Sequence, residues 1–186
     1  TNVTFSANTV TDKGGGMFNG NSSPILTTVT FSANTATSGG GGMSNYSSSN
    51  PEIRNTIFWG NTAPSGAQIY NSTSTPVVSD SVVEGGYMAG TNIITTDPML
   101  GTLGDYGGST QTIPLQAGSS AINTGNDSTC ATTDQRGVSR PQGAQCDIGA
   151  YEYDYTGTYY TKPAASGAAN CQSWADACTL QTALAT

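Results

Sequence analysis

The sequence contains no histidine, and only five Lys and Arg stand against twelve Asp and Glu. Without His, the commonest general base is missing, Ser-His and Cys-His nucleophile pairs cannot be assembled, and the commonest metal ligand is gone. A net charge of -7 offers no basic surface to nucleic-acid phosphates. No apolar run approaches the roughly 18 residues of a bilayer-crossing helix. No charged-then-apolar leader opens the chain either: Thr1 falls inside a patterned segment, so the sequence reads as a mature or excised piece. Charged residues at 9% are too few for a highly charged disordered tail, and hydrophobic residues at 35% are too few for a large mixed core.

What fills the 186 residues instead is 24 Gly with many Ser, Thr, Asn and Ala, and it is repetitive. Val3-Thr4-Phe5-Ser6-Ala7-Asn8-Thr9 returns unchanged as Val29-Thr30-Phe31-Ser32-Ala33-Asn34-Thr35, 26 residues on. Gly14-Gly15-Gly16-Met17 returns as Gly40-Gly41-Gly42-Met43, with Asn19 answered by Asn45. A degenerate third copy holds Ile57-Phe58-Trp59-Gly60-Asn61-Thr62 and Gly66 to Asn71, and a fourth begins near Val82 and ends in Glu84-Gly85-Gly86-Tyr87. Each copy alternates like a strand, with Val3 and Phe5 on one side and Thr4 and Ser6 on the other, between Asn, Gly, Ser and Pro turns. A unit this small cannot bury its apolar face alone. Coiling one copy per turn stacks Val3 on Val29, Phe5 on Phe31 and Met17 on Met43, which is a parallel β-solenoid of four turns over residues 1–90. Asn8, Asn34 and Asn61 then either ladder along the axis or serve only as turn residues.

The period breaks after residue 90. Thr110 to Leu115 and Ala121 to Asn123 read as short strands among turns. Here Asp97-Pro98-Met99-Leu100-Gly101, Gly107-Gly108-Ser109-Thr110, Gly118 to Gly125, Asp134-Gln135-Arg136-Gly137, Arg140-Pro141 and Cys146-Asp147-Ile148-Gly149-Ala150-Tyr151-Glu152 resemble the choice-of-anchor Q domain. That domain typically ends bacterial surface or secreted proteins built on right-handed parallel β-helices. The resemblance therefore implies an all-β right-handed β-helix (1–90), an irregular C-terminal β region (91–156) and an extracellular or cell-surface location. Residues 157–186 resemble the start of a further β-helix unit, a strand and a short capping helix.

Neither cysteine pair, Cys130 with Cys146 or Cys171 with Cys178, has the CxxC spacing of zinc or redox sites, so two local disulfides in an oxidising setting are expected. The glycine tracts lack the Gly-Lys-Ser/Thr of a phosphate loop. Asp97 and Asp105 lack the spacing of a calcium loop, and no cofactor or metal is assigned. Asp12, Glu52, Asp80 and Glu84 are scattered in repeat phase, without the close carboxylates a glycosidase needs or the clustered Asp and base of a lyase, so no catalytic residue is assigned. Asp134, Arg136, Arg140 and Asp147 read as structural charges, Arg136 and Arg140 pairing with Asp134, Asp147 or Glu152 to pin an irregular loop near Cys130 and Cys146, the competing reading being a small cation or carbohydrate site.

The first coil opens on an uncapped strand, and the far end supplies a partner for it: Tyr159 and Tyr160 in a strand, then Trp174, Leu180 and Leu184 around a short helix begun by Thr179. The expected interface joins these residues to Val3 and Phe5 of the next unit, head to tail, between chains or within a tandem polypeptide. Function reads as a non-catalytic structural subunit of an extracellular filament or surface stalk, partnered by itself. The alternative is an adhesin that holds glycans or surface proteins on Tyr46, Trp59, Tyr70, Tyr87 and the tyrosines from 151 to 160, and a polysaccharide lyase or hydrolase ranks below it.

Overall fold

The structure is a computed structural model that describes residues 1–155; the expected Cys171–Cys178 bridge and the interface positions Tyr159, Tyr160, Trp174, Leu180 and Leu184 lie outside them. Thr1–Pro141 and Gln145–Tyr153 form one compact unit. Among the described residues the fold is all-β. The first coil carries β1 (Val3–Ser6), β2 (Thr9–Val10) and β3 (Met17–Gly20). The second carries β4 (Ile25–Thr27), β5 (Val29–Ser32), β6 (Thr35–Ala36) and β7 (Met43–Tyr46), and the third β8 (Glu52–Arg54), β9 (Ile57–Trp59) and β10 (Ile69–Ser72). Two more strands follow, β11 (Val77–Val83) and β12 (Thr91–Ile94).

Every strand pair is parallel, and the 26-residue repeat is the register: Val3 pairs with Val29, Phe5 with Phe31, and Met17 with Met43. The long sheet runs β1-β5-β9-β11-β8-β4, with β12 added on β11, and a second sheet runs β10-β7-β3. Alternation sends Leu26, Val29, Phe31, Met43, Ile53, Phe58, Val78 and Val83 inward to one core. Phe5, Phe31 and Phe58 stack nearly parallel at 4.8 and 4.6 Å, a separation set by the strand spacing itself.

The corners are made by residues in the left-handed region. Asn2, Thr28, Asn55, Asp80 and Asn92, all at φ between 46° and 56°, succeed one another where the long sheet bends. Asn and Asp tolerate this conformation, while Thr28 accepts it because its hydroxyl donates to Asn2 Oδ1 at 2.6 Å.

Three turns close, not four. β11 and β12 are in register twelve residues apart, Ser79 opposite Thr91, too few for another circuit of 26, so the fourth copy continues the long sheet alone. The expected strands at Thr110 to Leu115 and Ala121 to Asn123 are not regular strands. Only isolated bridges form, Gly104 with Thr112 and Leu100 with Leu115, because Pro114 has no N–H to continue a ladder. Ala121 to Asn123 is a turn that ends with Asn123 at φ 54°.

Residues 95–153 return along the outer face of the long sheet. That face carries Thr4, Thr30, Ile57, Val82 and Ile94 in one column, and Ile57 and Val82 are buried beneath Leu115, Ala121 and Ile148. The returning chain bonds to the coils in turn. Asn126 N–H donates to Asn55 Oδ1 (2.8 Å), Ala150 N–H to Thr30 Oγ1 (3.0 Å), Thr4 Oγ1 to Gln135 Oε1 (2.6 Å), and Asn2 Nδ2 to the Thr133 carbonyl (2.8 Å). Gly149, at φ +101°, lies flat on the sheet; a Cβ there would stand 2.6 Å from Ile57 Cδ1.

Candidate functional site

Two asparagine ladders climb the interior. Asn8 Nδ2 donates to Asn34 Oδ1 (2.8 Å) and Asn34 Nδ2 to Asn61 Oδ1 (2.9 Å), while Asn34 and Asn61 also donate to the Phe5 and Phe31 carbonyls. Across the core, Asn19 donates to Asn45 (2.8 Å) and Asn45 to Asn71 (2.9 Å). Of the two readings of Asn8, Asn34 and Asn61, the ladder is the one formed.

The ladders have a polarity, with each amide donating toward the later coil. At the later end both are capped. Asn61 donates to Gln68 Oε1 and Gln68 to Glu84 Oε2, each at 2.6 Å, and Asn71 donates to the Tyr87 hydroxyl at 3.0 Å. At the first coil both end in an acceptor, Asn8 Oδ1 and Asn19 Oδ1, to which nothing among the described residues donates. The predicted interface residues Val3 and Phe5 sit on this same face. Val3 is 38% exposed on an edge strand, and Phe5 is half-buried with one ring face on Phe31.

The aromatic residues considered for sugar stacking do not share a platform. Tyr46 and Tyr70 stand in an outer row that Phe18 begins, at centroid separations of 5.6 and 5.8 Å. Their faces lie against one another, so the row turns edges to solvent. Phe18, 54% exposed, is a member that reading the sequence missed; its signal was only its place beside Met17, in the copy where Ser44 and Tyr70 follow. Trp59 packs with Ile57 and Val82 under the returning chain, Tyr87 caps a ladder, and Tyr151 lies under the Arg136 guanidinium at 3.6 Å.

The carboxylates weighed for catalysis each have a partner. Asp12 pairs with Lys13 at 2.9 Å, Glu52 pairs with Arg54, Asp80 accepts from Asn92 and Asn126, and Glu84 accepts from the Gly60 N–H and Gln68.

The charges near the chain's return form a buried network around the observed Cys130–Cys146 disulfide, whose Cα atoms are 6.7 Å apart. Arg140 is the hub, donating to the Asp147 carbonyl (2.7 Å), the Gly149 carbonyl (2.7 Å) and Glu152 Oε2 (2.8 Å). Asp134 takes the Arg136 side chain and three backbone N–H groups, those of Arg136, Val138 and Glu152. Of the expected partners, Asp134 pairs with Arg136 and Glu152, at 1% exposure, with Arg140, while Asp147 meets Arg140 through its backbone carbonyl.

Burial pulls the Arg140 guanidinium below its ordinary value, against the opposing pull of Glu152, Asp134 and Asp147. Burial, with Glu152 alongside, pushes the Asp147 carboxyl up to about 7, even though Asn123 and Tyr153 donate backbone N–H groups to it. An acid raised in the folded state binds its proton there more tightly than in the unfolded chain, whose value is about 3.9. Stability from this group is therefore fullest below about pH 4, falls by up to about 1.4 kcal/mol per pH unit between about 4 and 7, and levels off above. Thermal unfolding at pH 5 and pH 8 is expected to show the higher Tm at pH 5, by a margin that narrows in Asp147→Asn.

Residues 1–100 match the family described as the right handed beta helix region. The chain belongs to the right-handed β-helix family. No curated protein and no solved structure matches it. In this β-helix the family match spans all twelve strands of the described fold and ends a few residues into the returning chain. Among the described residues, no helix is long and apolar enough to cross a membrane, and no group of three or more His, Cys, Asp or Glu is placed to hold a metal ion.

Proposed function

We propose that this β-helix is a non-catalytic structural subunit of an extracellular filament or cell-surface stalk, assembled head to tail through residues 157–186 and the open first coil. The supporting observation is the polarity of the stack: every ladder amide donates toward the later coil, where both ladders are capped, and among the described residues nothing donates to Asn8 Oδ1 or Asn19 Oδ1 in the first coil. A face of that kind leaves backbone and side-chain groups to be completed by another strand. The motifs between Asp97 and Glu152 that resemble the choice-of-anchor Q domain, together with the Cys130–Cys146 disulfide, support an extracellular or surface setting. Face-to-face packing of Phe18, Tyr46 and Tyr70 leaves few ring faces for a sugar and so supports the structural reading over the adhesin one.

Deleting residues 157–186 tests the proposal. Full-length protein at increasing concentration should form filaments by electron microscopy and a growing sedimentation coefficient, and the deletion should stay unassembled. Normal filaments from the deletion would overturn the role of the tail.

A further inference from the structure

Asn55 is the corner residue of the third coil, fully buried and at φ 46°, and the returning chain grips it from two sides. On one side lies the segment before Cys130. Asn126 N–H donates to Asn55 Oδ1 (2.8 Å), and Asn55 Nδ2 donates to the Asn126 carbonyl (3.1 Å) and to Thr129 Oγ1 (3.2 Å). On the other side lies the segment after Cys146, where Gly149 N–H donates to the Asn55 carbonyl (2.9 Å). The Cys130–Cys146 disulfide joins these two arms, which also meet directly: Gly125 N–H donates to the Cys146 carbonyl (2.8 Å) and Cys146 N–H to Asp127 Oδ1 (2.7 Å). Apart from the crosslink, the arms are connected covalently only through the loop from residue 131 to 145. The disulfide therefore closes a clasp around Asn55. Its two cysteines are not equally placed, since Cys146 is fully buried and Cys130 only half-buried. A cavity of about 110 Å³, lined by both of them together with Thr132, Arg140 and Pro141 among others, adjoins the bond.

We propose that Cys130–Cys146 is a thiol-responsive latch: reduction by a small thiol, entering at Cys130, opens the clasp on Asn55 and frees that part of the returning chain while the coils stay folded. The thiolate of the small molecule attacks Cys130 Sγ, the S–S bond breaks, and its electron pair leaves on Cys146 Sγ. A second thiolate then displaces Cys130 Sγ from the mixed disulfide, so the protein crosslink gains two electrons and two small thiols become one small disulfide. Once the crosslink is gone, holding both arms on Asn55 costs the loop between them its conformational freedom, and local opening becomes correspondingly easier. The ladders that join β5, β9 and β11 contain no residue of that loop, so the coils do not depend on it directly. Ile57 and Val82 lie beneath Ile148, and opening beside Gly149 thins their cover. An apolar patch on the outer face of the long sheet is thereby exposed by reduction and hidden by oxidation. The latch acts within one copy and is independent of the assembly proposed above.

The test exposes the folded full-length protein to reduced glutathione, alkylates the thiols that appear for peptide mapping, and follows amide hydrogen exchange on the same sample. Alkylation is expected at Cys130 and Cys146, with glutathione captured on Cys130 at early times. The amides of Gly125, Asn126 and Gly149 should then exchange about a hundredfold faster, the ratio expected for losing a crosslink over a loop of this length. Those of Gly42 and Met43, which donate to Ala67 and Gln68 inside the stack, should keep their protection. The double variant Cys130→Ala/Cys146→Ala should show the same fast exchange with no thiol added. Three results would overturn the latch: a crosslink that resists glutathione in the folded protein, reduction that leaves Asn126 and Gly149 as protected as before, or loss of protection throughout the coils at the same time.

Discussion

Replacing Arg140 with Met is expected to lower the unfolding free energy by about 3–5 kcal/mol, the range for removing one partner of a buried ion pair. Arg140 is 9% exposed and Glu152 1%, and the pair meets at 2.8 Å. Met keeps much of the volume but leaves Glu152 as a buried carboxylate and strips the Asp147 and Gly149 carbonyls of their donor. Those carbonyls flank Ile148, which is fully buried against the sheet, so the loss loosens the segment that carries this side chain. Urea unfolding should show the midpoint falling, and hydrogen exchange should quicken first at Gly149 and Ala150, whose N–H groups bond to Asn55 and Thr30. A change below about 1 kcal/mol would show that the network adds nothing to the packing around it.

Asn34→Leu is expected to cost about 3 kcal/mol or more, because the substitution strands several polar groups at once. Asn34 is fully buried. Its carbonyl oxygen takes the backbone and side-chain N–H of Asn8, and its amide supplies Asn61 Oδ1 and the Phe5 carbonyl. Each buried group left without a partner costs about 1–3 kcal/mol. The matching change at the open end, Asn8→Ala, removes one side-chain bond at an exposed position and should cost about 1 kcal/mol. Comparing the two by urea unfolding checks the ladder directly, since a pair of mere turn residues would give similar values.

The coil stack was legible because the repeat is nearly exact where it counts. Identity over Val3 to Thr9 and Val29 to Thr35 fixes a register in which inward residues meet their own kind, and β1, β5 and β9 follow it. The returning chain was not legible, because its contacts reach across as many as 131 residues, as from Asn2 to Thr133, and no period announces them. One signal was present: the outward column changes from Thr4 and Thr30 to Ile57, Val82 and Ile94, and an apolar outward column asks for a cover. The fourth turn was overread because Val82-Val83 fits the strand, while the twelve-residue step to Thr91 shows only in the pairing. Thr110 to Leu115 has β-forming residues, but Pro114 and the reach of Leu115 into the second core decide otherwise.

Stacked-repeat proteins ordinarily hold together by nearest-neighbour contacts, so that end repeats fray before the middle melts. Here the chain from Thr95 to Tyr153 runs back over the stack and touches the first, second and third coils in turn through Thr4, Thr30 and Asn55. No coil can peel away without also breaking its bonds to a segment that every other coil shares. The array is thereby converted from a row of loosely independent units into one cooperative body, in which the outermost strand, β1, is held by residues more than a hundred positions away.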